Sequence, residues 1–408
     1  MTTLQPDLAE LRRDFPGLEQ QVNGNALVYL DNGASSQMCR AAIDAVHRHQ
    51  LNDRANVHRG VHTLSQRATT AMESGRESVQ RFIGARSVDE IIFVRGTTEA
   101  INLVASTFGQ RFEPGDEIVI SHMEHHSNIV PWQLLAARTG VTLKVVPVDD
   151  DGVLDMQVYE QLLSDRTRLV SVVHVSNTLG TVNPVRRVVE LAHARGVPVL
   201  LDGAQAAPHL PIDVVELGCD FYAFSGHKVF GPNGIGVLYG RHEMLCDLPP
   251  WQGGGDMIES VSFEGSTWAE PPGRFEAGTP NVSGIVGLGA AVDYLMSVGM
   301  GRIQAYEAEL ASQVRQALAD IPGLRFIGDA PGKAAVFSFV LHGIPSADVG
   351  TLLDMQGVAV RTGHHCTSPL MQRFGVPGTV RASFCFYNTV DDLQVLIQGL
   401  HKVRRMFG

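Results

Sequence analysis

The feature of the sequence that most limits its possible folds is a regular alternation between short β-rich runs and helical patterns. The runs are EIIFV, EIVIS, LKVVPV, RLVSVVHVS, PVLLD and DFYAFS, and most are separated by a helical segment. Strands that are joined through helices form parallel sheets that are buried on both faces. The sequence therefore predicts an α/β fold with a mainly parallel sheet.

Polar residues gather where these predicted strands end. The segments RGTTEA, HMEHHSN, NTLG, DGAQ and SGHK each follow one of the strands. In open α/β sheets, ligands bind beyond the carboxyl ends of the strands. We therefore expect the five segments to face one crevice.

A second, smaller unit is predicted in the last third of the chain. Long helical patterns over residues 283–320 replace the alternation, and strands in AAVFSFVL, GVAVRT and VRASFCFY precede a closing helix from about Val390. A chain of 408 residues also exceeds what one hydrophobic core usually serves. We expect a large domain of residues 21–294 and a small α+β domain of residues 295–408, which the N-terminal segment 1–20 joins.

The composition argues against several classes of protein. Hydrophobic residues make up 44% of the chain and charged residues 18%, as in ordinary globular proteins. The net charge of −11 and the lack of a Lys/Arg run argue against a nucleic-acid partner. Neither a signal peptide nor a membrane-spanning run is apparent, and five cysteines without paired spacing fit a reducing compartment. We expect a cytoplasmic protein, away from membranes, whose partners are small molecules or proteins.

One cysteine has an unusual setting. In RTGHHCTSPLM, residues 361–371, Cys366 follows two histidines and an arginine, and Gly363 and Pro369 bracket the segment. The thiolate is the nucleophilic form of cysteine, and positive charge nearby favours it. We interpret Cys366 as a reactive group and the other four cysteines as packing thiols, namely Cys39, Cys219, Cys246 and Cys385.

A lysine follows the last apolar run in SGHKVFGPNGIGVLYG, residues 225–240. An isolated lysine is usually exposed to solvent. The preceding FYAF run would partly desolvate Lys228 and lower its pKa, which favours Schiff-base chemistry. The glycines of GPNGIG follow the lysine and lack the GxGxxG order, which argues against a dinucleotide site.

An anion site is predicted from two segments. Ser225 and His227 come just before Lys228 in the chain and can hold an anion beside it. Thr97 and Thr98 open a predicted helix, whose first backbone N–H groups point outward and suit a phosphate. A simple helix cap is the alternative for the threonines.

Two charged residues in apolar surroundings need partners. Asp202 ends the strand in VLLDGAQ, where a buried carboxylate requires a cation such as a protonated pyridine nitrogen; a turn before Gly203 is the alternative. Arg381 lies in VRASFCFYN, where a guanidinium requires an anion. The sequence leaves open whether this anion is a substrate carboxylate or the partner in a structural salt bridge.

The histidines of MEHHSN are interpreted as cofactor contacts rather than metal ligands. The segment has neither the HExxH pattern nor spaced Cys/His ligands, and adjacent side chains on an extended segment point apart. The same holds for HHC, so no metal site is expected. A ring at His125 or His126, beyond a strand end, can instead stack on a flat cofactor.

Together, these motifs resemble those of one family. The chain is similar to the fold-type I pyridoxal-phosphate (PLP) enzymes of the class V aminotransferase group, and most closely to the Suf-type, or group II, cysteine desulfurases and selenocysteine lyases. The resemblance covers essentially the whole chain and implies an aspartate aminotransferase-like fold, PLP as cofactor and a homodimer. The motifs that carry it, in order, are YLDNGASSQ, NVHRGVHTLS, FVRGTTEAINLV, MEHHSNIVPWQ, HVSNTLGTVNP, DGAQAAPH, FSGHKVFGPNGIGVLYG, RFEAGTPN and VRTGHHCTSPLM.

The resemblance also implies a role for each candidate residue. It makes Lys228 the Schiff-base lysine, His125 the ring-stacking histidine and Cys366 the nucleophile that forms a persulfide. It also makes Asp202 the partner of the pyridine nitrogen and Gln205 the donor to the ring hydroxyl. The residues that it implies as phosphate ligands are Thr98, Ser225 and His227, with Thr97 beside them, and Thr279, which reaches the phosphate of the other subunit. Asn177 and Arg381 would bind the substrate carboxylate, and the residues near the substrate entrance would be His58, Arg59, Arg361 and His364.

The implied activity is a desulfurase reaction on L-cysteine. The products are L-alanine and a persulfide on Cys366, whose sulfur passes to a Suf acceptor protein for iron–sulfur cluster assembly. Because Cys366 must reach the substrate and then the acceptor, we expect its loop to move. Thr367 and the Asn32-Gly33 pair depart from the residues common in the family, which bears on loop mobility and acceptor recognition.

Three alternatives remain open from the sequence. Selenocysteine lysis, or another class V reaction such as epimerisation, would use Lys228 and Asp202 without requiring Cys366. A non-enzymatic scaffold for sulfur transfer would need no cofactor pocket.

Overall fold

The computed structural model describes residues 10–407 and is built around two sheets. The strands are, in chain order, β1 (Gln21–Val22), β2 (Asn25–Ala26), β3 (Val28–Tyr29), β4 (Ile91–Val94), β5 (Glu117–Ser121), β6 (Thr142–Val146), β7 (Thr167–Val173), β8 (Val199–Asp202), β9 (Phe221–Ser225), β10 (Gly236–Gly240), β11 (Ile258–Val261), β12 (Ser266–Trp268), β13 (Leu324–Phe326), β14 (Val336–Leu341), β15 (Val358–Ala359), β16 (Arg361–Gly363) and β17 (Thr379–Ser383).

Helices connect most of these strands. They are α1 (Arg40–Arg48), α2 (Thr63–Phe82), α3 (Thr97–Thr107), α4 (Val130–Thr139), α5 (Met156–Leu162), α6 (Val185–His193), α7 (Val214–Leu217), α8 (His242–Cys246), α9 (Val282–Val298), α10 (Met300–Ala319), α11 (Ser346–Asp354), α12 (Ser368–Arg373) and α13 (Val390–Met406). Single turns of 3₁₀ helix include His126–Asn128, Gly226–Lys228 and Gly273–Phe275.

The larger sheet has seven strands in the order β4-β10-β9-β8-β7-β5-β6. Strands β6, β5, β7, β8 and β9 are parallel to one another, whereas β10 runs antiparallel to both β9 and β4. The prediction of a mainly parallel α/β sheet is therefore confirmed. The parallel strands end at the same edge of the sheet, so the segments that follow them meet there.

Alternate residues of the strands pack on opposite faces of this sheet. Leu201 and Val237 belong to one buried cluster, and their chain neighbours Leu200 and Leu238 belong to another. Every residue of β8 and β9 is buried. The apolar runs read from the sequence thus reflect a sheet that helices cover on both sides.

The smaller sheet is antiparallel, with the order β13-β14-β17-β16. Phe337 and Phe339 of β14 pack with Leu310 of α10 and Leu396 of α13 in a third buried cluster. Strand β3 pairs with β15, where Val28 is opposite Val358, and this connects the start of the chain to the smaller unit.

The domain boundaries at 21–294 and 295–408 stay a prediction. The first nine residues of the N-terminal segment 1–20, and residue 408, lie outside the described residues. Within residues 10–20, Arg12 donates a hydrogen bond to the carboxylate of Asp392 at 3.0 Å.

No single helix within residues 10–407 is both long and apolar enough to cross a membrane. The pair α9 and α10 meets the length and composition criteria only when the two are taken together, and it is bent by 73°.

Candidate active site

A cavity of about 230 Å³ lies where the parallel strands of the large sheet end. Residues from the large sheet, from the segment after β3 and from the Cys366 segment surround it. The sequence-predicted residues that line it are Thr97, Thr98, His125, Asn177, Asp202, Gln205, Ser225, His227, Lys228, Arg361, Cys366 and Arg381. The expectation that the strand-end segments face one crevice is thus met by the geometry.

Lys228 ends the single helical turn that follows β9. Burial lowers the pKa of its amine from 10.5 to about 8, against the opposing effects of Asp202 and Cys366. The nearby Arg381 lowers it further. A larger fraction of the amine is therefore neutral, and thus nucleophilic, near neutral pH than for an exposed lysine.

Asp202 is the last residue of β8 and is 2% exposed. Burial raises the pKa of its carboxyl group, while the N–H of Ala204 and the charge of Lys228 lower it. The Ala204 N–H donates to Oδ1 at 3.0 Å, so the turn-forming interpretation of Asp202 is present in the structure. That bond uses one oxygen and leaves the other for a cation in the cavity.

Gln205 follows in the same turn and is almost fully buried. Its Nε2 donates to the carbonyl of Gly33 at 2.6 Å, and its Oε1 is buried without a hydrogen-bond partner. In this orientation, the side chain offers the cavity an acceptor rather than the donor that the resemblance implies.

The predicted anion site combines the start of α3 with the end of β9. The hydroxyl of Ser225 accepts the N–H of Thr97 at 2.9 Å and lies 2.9 Å from its Oγ1. This pair fixes the first turn of an 11-residue helix, whose partial positive end favours an anion. Thr98, the next residue, and His227 also line the cavity.

The ring of His125 is neutral and has a defined tautomer. Burial, together with the positive charge of Lys228, lowers its pKa to about 3. The backbone N–H of Ser127 donates to Nδ1 at 3.1 Å, which makes Nδ1 an acceptor and assigns the ring proton to Nε2. A neutral, oriented ring of this kind can stack on a flat cofactor.

Glu124 immediately precedes His125 in the chain, and the sequence interpretation missed it. It is 0% exposed, and burial raises its pKa to about 8. Asn128 Nδ2 at 2.6 Å and the N–H of Val173 at 3.0 Å donate to its carboxyl group, and Ser121 is a third partner. The sequence did contain a signal for this residue, because an acidic residue next to two histidines lies just beyond a strand that is predicted to be buried. A residue in that position is expected to be buried as well.

Cys366 lies in a tight loop between β16 and α12. His365 and Cys366 both have positive φ angles, of 50° and 58°, which residues with a side chain rarely adopt. The loop is fastened on both sides. The backbone N–H of His126 donates to the backbone carbonyl of Cys366 at 2.8 Å, and Asn177 Nδ2 donates to the carbonyl of His365 at 2.8 Å. The loop motion that the sequence led us to expect would have to break both bonds.

Thr367 adds a further anchor to this loop. It is fully buried, and its hydroxyl lies 2.9 Å from that of Thr178. It also donates to the carbonyl of His364 at 2.9 Å. The threonine that departs from the common family residue therefore ties the loop to the segment after β7.

The contacts of Arg381 include a structural salt bridge and leave one donor without a partner. The guanidinium is 2% exposed and forms an ion pair with Asp31 at 2.9 Å, as expected of a structural salt bridge. Its Nη1 donates to Asn177 O at 2.9 Å, but its Nε is buried without a partner and the side chain lines the cavity. A donor is thus left for a ligand.

Four predicted residues do not line this cavity. Thr279 lines a separate cavity with Trp251, and His58 and Arg59 line another with Asp256. His364 is exposed, and its ring lies 5.6 Å from that of His126. His365, which the sequence interpretation did not single out, lines the cavity in its place.

These features define a class of protein. A mainly parallel sheet with a buried lysine and a buried aspartate at its strand ends, next to a smaller antiparallel sheet, is the architecture of the fold-type I PLP enzymes. The chain belongs to the aminotransferase class-V family, which matches residues 28–396.

The similar proteins include several cysteine desulfurases. The chain is 54% identical over 400 residues to a cysteine desulfurase of Dickeya dadantii, covering 98% of this chain and 97% of that protein. It is 51% identical to a cysteine desulfurase of Synechococcus elongatus, covering 98% of this chain and 64% of that longer protein. The solved apo structure of a cysteine desulfurase from Thermococcus onnurineus NA1 has a TM-score of 0.93 at 39% identity, covering 100% of both chains.

The cofactor of this family is PLP, and the cavity fits it. Four residues that line the cavity have a buried polar atom without a hydrogen-bond partner: Gln205 Oε1, Asn177 Oδ1, His365 Nδ1 and Arg381 Nε. Unsatisfied buried polar groups are costly, so their grouping indicates a polar ligand. The amine of Lys228 and the carboxylate of Asp202 supply the groups that an aldehyde and a pyridine nitrogen require.

We expect the covalent binding of PLP to the cofactor-free protein to depend on pH through Lys228. The neutral amine is the nucleophile, and its pKa is lowered to about 8. The rate should therefore rise as pH rises towards about 8 and level off above it, whereas an unperturbed lysine would keep gaining up to about pH 10.4. Stopped-flow absorbance between about pH 6 and about pH 10 measures this. A rate that still rises steeply above about pH 9 would contradict the assignment.

Proposed function

We propose that the chain is a PLP-dependent cysteine desulfurase, which converts L-cysteine to L-alanine and takes the sulfur onto Cys366. The observation that carries the proposal is that Cys366 and Lys228 line the same cavity. The amine that holds the cofactor and the thiol that accepts sulfur therefore reach one bound substrate. The names of the similar proteins support the same activity.

PLP, when bound, withdraws electrons from the α-carbon of an amino acid attached to it, which acidifies the Cα–H bond and weakens the bond between Cβ and sulfur. Asp202 would pair with the pyridine nitrogen and keep it protonated. Lys228, whose pKa is lowered to about 8 by burial, takes the proton from Cα and can return it.

His125 contributes orientation rather than charge. Its ring stays neutral because burial lowers its pKa to about 3. The bonds to Ser127 hold the ring in one orientation, in which it would stack on the cofactor. Thr97, Thr98, Ser225 and His227 would hold the phosphate.

Cys366 carries out the sulfur transfer. Its thiolate attacks the sulfur of the bound cysteine, so a sulfur–sulfur bond forms and the carbon–sulfur bond breaks. The electron pair of the broken bond stays with the carbon fragment, which is protonated and leaves as alanine. One L-cysteine and one thiol thus give one L-alanine and one persulfide, and no outside oxidant is required.

The sulfur then leaves for an acceptor protein of the Suf system, for iron–sulfur cluster assembly. Cys366 is only half-buried and its neighbour His364 is exposed, so a partner thiol can approach the persulfide. The reaction is proposed to take place in the cytoplasm, which the free state of all five cysteines supports.

The protein is proposed to act as a homodimer. Thr279 lines a different cavity from Lys228, which supports a contact with the cofactor of a second copy rather than with that of its own chain. The hairpin of β11 and β12 also exposes Val261 and Phe263, which a second chain would cover.

Thr279→Ala is expected to weaken PLP retention without abolishing folding. One hydrogen bond to a charged phosphate is worth about 1.5–3 kcal/mol. The dissociation constant of PLP, measured by absorbance after dilution, should rise by about tenfold or more, and light scattering should give a dimer. A fully active monomer would overturn the dimer proposal.

The proposed activity is tested by incubating the purified holoenzyme with L-cysteine and a thiol reductant and measuring alanine and sulfide. Equal amounts of both are expected over many turnovers. A PLP-loaded protein that forms no alanine from L-cysteine would overturn the proposal.

A further inference from the structure

Two arginines of the cavity face each other across neighbouring strands. Arg361 of β16 is directly opposite Arg381 of β17 in the antiparallel register. Like charges in directly opposed positions destabilise a sheet. Arg381 is 2% exposed and the side chain of Arg361 43% exposed, so water screens only the outer of the two charges well. An anion is needed to hold the two guanidinium groups in place.

Asp31 is that anion. Its Oδ1 accepts a hydrogen bond from Nη2 of Arg381 at 2.9 Å, and its Oδ2 lies 3.7 Å from Nη1 of Arg361. Among residues 10–407, no other carboxylate forms an ion pair with Arg361 or Arg381. The backbone of Asp31 pairs with that of Ser383, two residues beyond Arg381, which fixes the carboxylate beside both strands.

The contacts of Arg381 leave one edge of its guanidinium open. Nη1 donates to Asn177 O at 2.9 Å and Nη2 donates to Asp31, whereas Nε is buried without a partner. Gly33 gives the group room, because a Cβ there would lie 3.1 Å from Cζ of Arg381. The planar group is therefore held on one side and offers Nε on the other.

We propose that Asp31 is a positioning residue for the substrate carboxylate. It holds Arg361 and Arg381 in a common orientation, and it leaves one net positive charge on the three groups for an incoming carboxylate. Asp31 acts through the arginines and does not line the cavity itself. The inference rests on the proposed function, because it takes Arg381 as the group that binds the carboxylate.

The test compares Asp31→Ala and Asp31→Asn with Asp150→Ala, in which an exposed acid loses a similar ion pair with Arg373. In Asp31→Ala, KM for L-cysteine should rise at least about tenfold, with a change in kcat below about threefold. Asp31→Asn should show a smaller rise, because the amide keeps an acceptor but loses the charge. Asp150→Ala should match the wild type.

A second measurement separates positioning from a general structural role. Visible absorbance of the holoenzyme is titrated with L-alanine and with ethylamine, which lacks the carboxylate. Asp31→Ala should weaken the binding of L-alanine at least about tenfold and leave that of ethylamine unchanged.

An equal loss for both ligands, or an unchanged or lower KM, would overturn the inference; a lower KM would mean that Asp31 competes with the substrate. A wild type that makes no alanine from L-cysteine would overturn the proposed function alone, because the two titrations still test Asp31.

Discussion

Lys228→Ala is expected to lose essentially all activity on L-cysteine. In the proposed mechanism, the substitution removes both the amine that attaches PLP and the base that moves the Cα proton. Proton transfer by a positioned group alone contributes about 10²–10⁴-fold to a rate. The variant should still fold, and it should still bind PLP non-covalently through the phosphate site. Borohydride reduction followed by peptide mapping should find PLP on Lys228 in the wild type and on no lysine in the variant.

Lys333 provides a matched control. It is also buried, and burial lowers its pKa to about 8 as well. Its Nζ donates to the carbonyl of Gly328 at 3.0 Å and lies over the ring of Phe337, away from the cavity. Lys333→Ala should keep PLP on Lys228 and keep the activity. If PLP is trapped on a lysine in Lys228→Ala, the assignment of Lys228 is wrong.

Cys366→Ala is expected to lose alanine formation from L-cysteine by several orders of magnitude, as when a covalent nucleophile is removed. Activity on L-selenocysteine should largely survive. The carbon–selenium bond is weaker, and selenium can leave as elemental selenium while the electron pair of the broken bond stays with the carbon fragment that becomes alanine, so selenium needs no thiol to accept it. The two rates are measured on the same preparation, which should retain its PLP because Lys228 and Asp202 are unchanged.

The surviving selenocysteine activity controls for folding, because a collapsed site would lose both reactions. Cys246→Ala is the matched cysteine control: this thiol is also partly exposed but lies outside the cavity, next to His242. It should behave as the wild type. Turnover of L-cysteine by Cys366→Ala at the wild-type rate would exclude Cys366 as the nucleophile.

Much of the fold and the outline of the site could be predicted from sequence because both are locally encoded. Apolar runs such as that of β8 show that a strand is buried, and a polar residue at its end, such as Asp202, must then face a crevice. Lys228 and His125 follow buried strands in the same way. The resemblance added their roles, which strand patterns alone left open.

The contacts that depend on distant pairing could not be predicted. Asp31 meets Arg381 across 350 residues of chain, through a backbone pairing with no local signal. Arg361 and Arg381 oppose each other only because β16 and β17 pair in that register. The contact that anchors the Cys366 loop to Thr178 likewise joins distant parts of the chain. Because the sequence does not reveal this contact, the nearby glycine and proline led us to expect a freer loop.

Transfer of the sulfur of L-cysteine to Cys366 can be observed in a single turnover. Holoenzyme is mixed with less than one equivalent of L-cysteine, without reductant or acceptor, and is then analysed by alanine assay and by mass spectrometry of the Cys366 peptide. We expect equal amounts of alanine and of Cys366 carrying one additional sulfur atom. Alanine formed while Cys366 carries no additional sulfur would contradict this transfer.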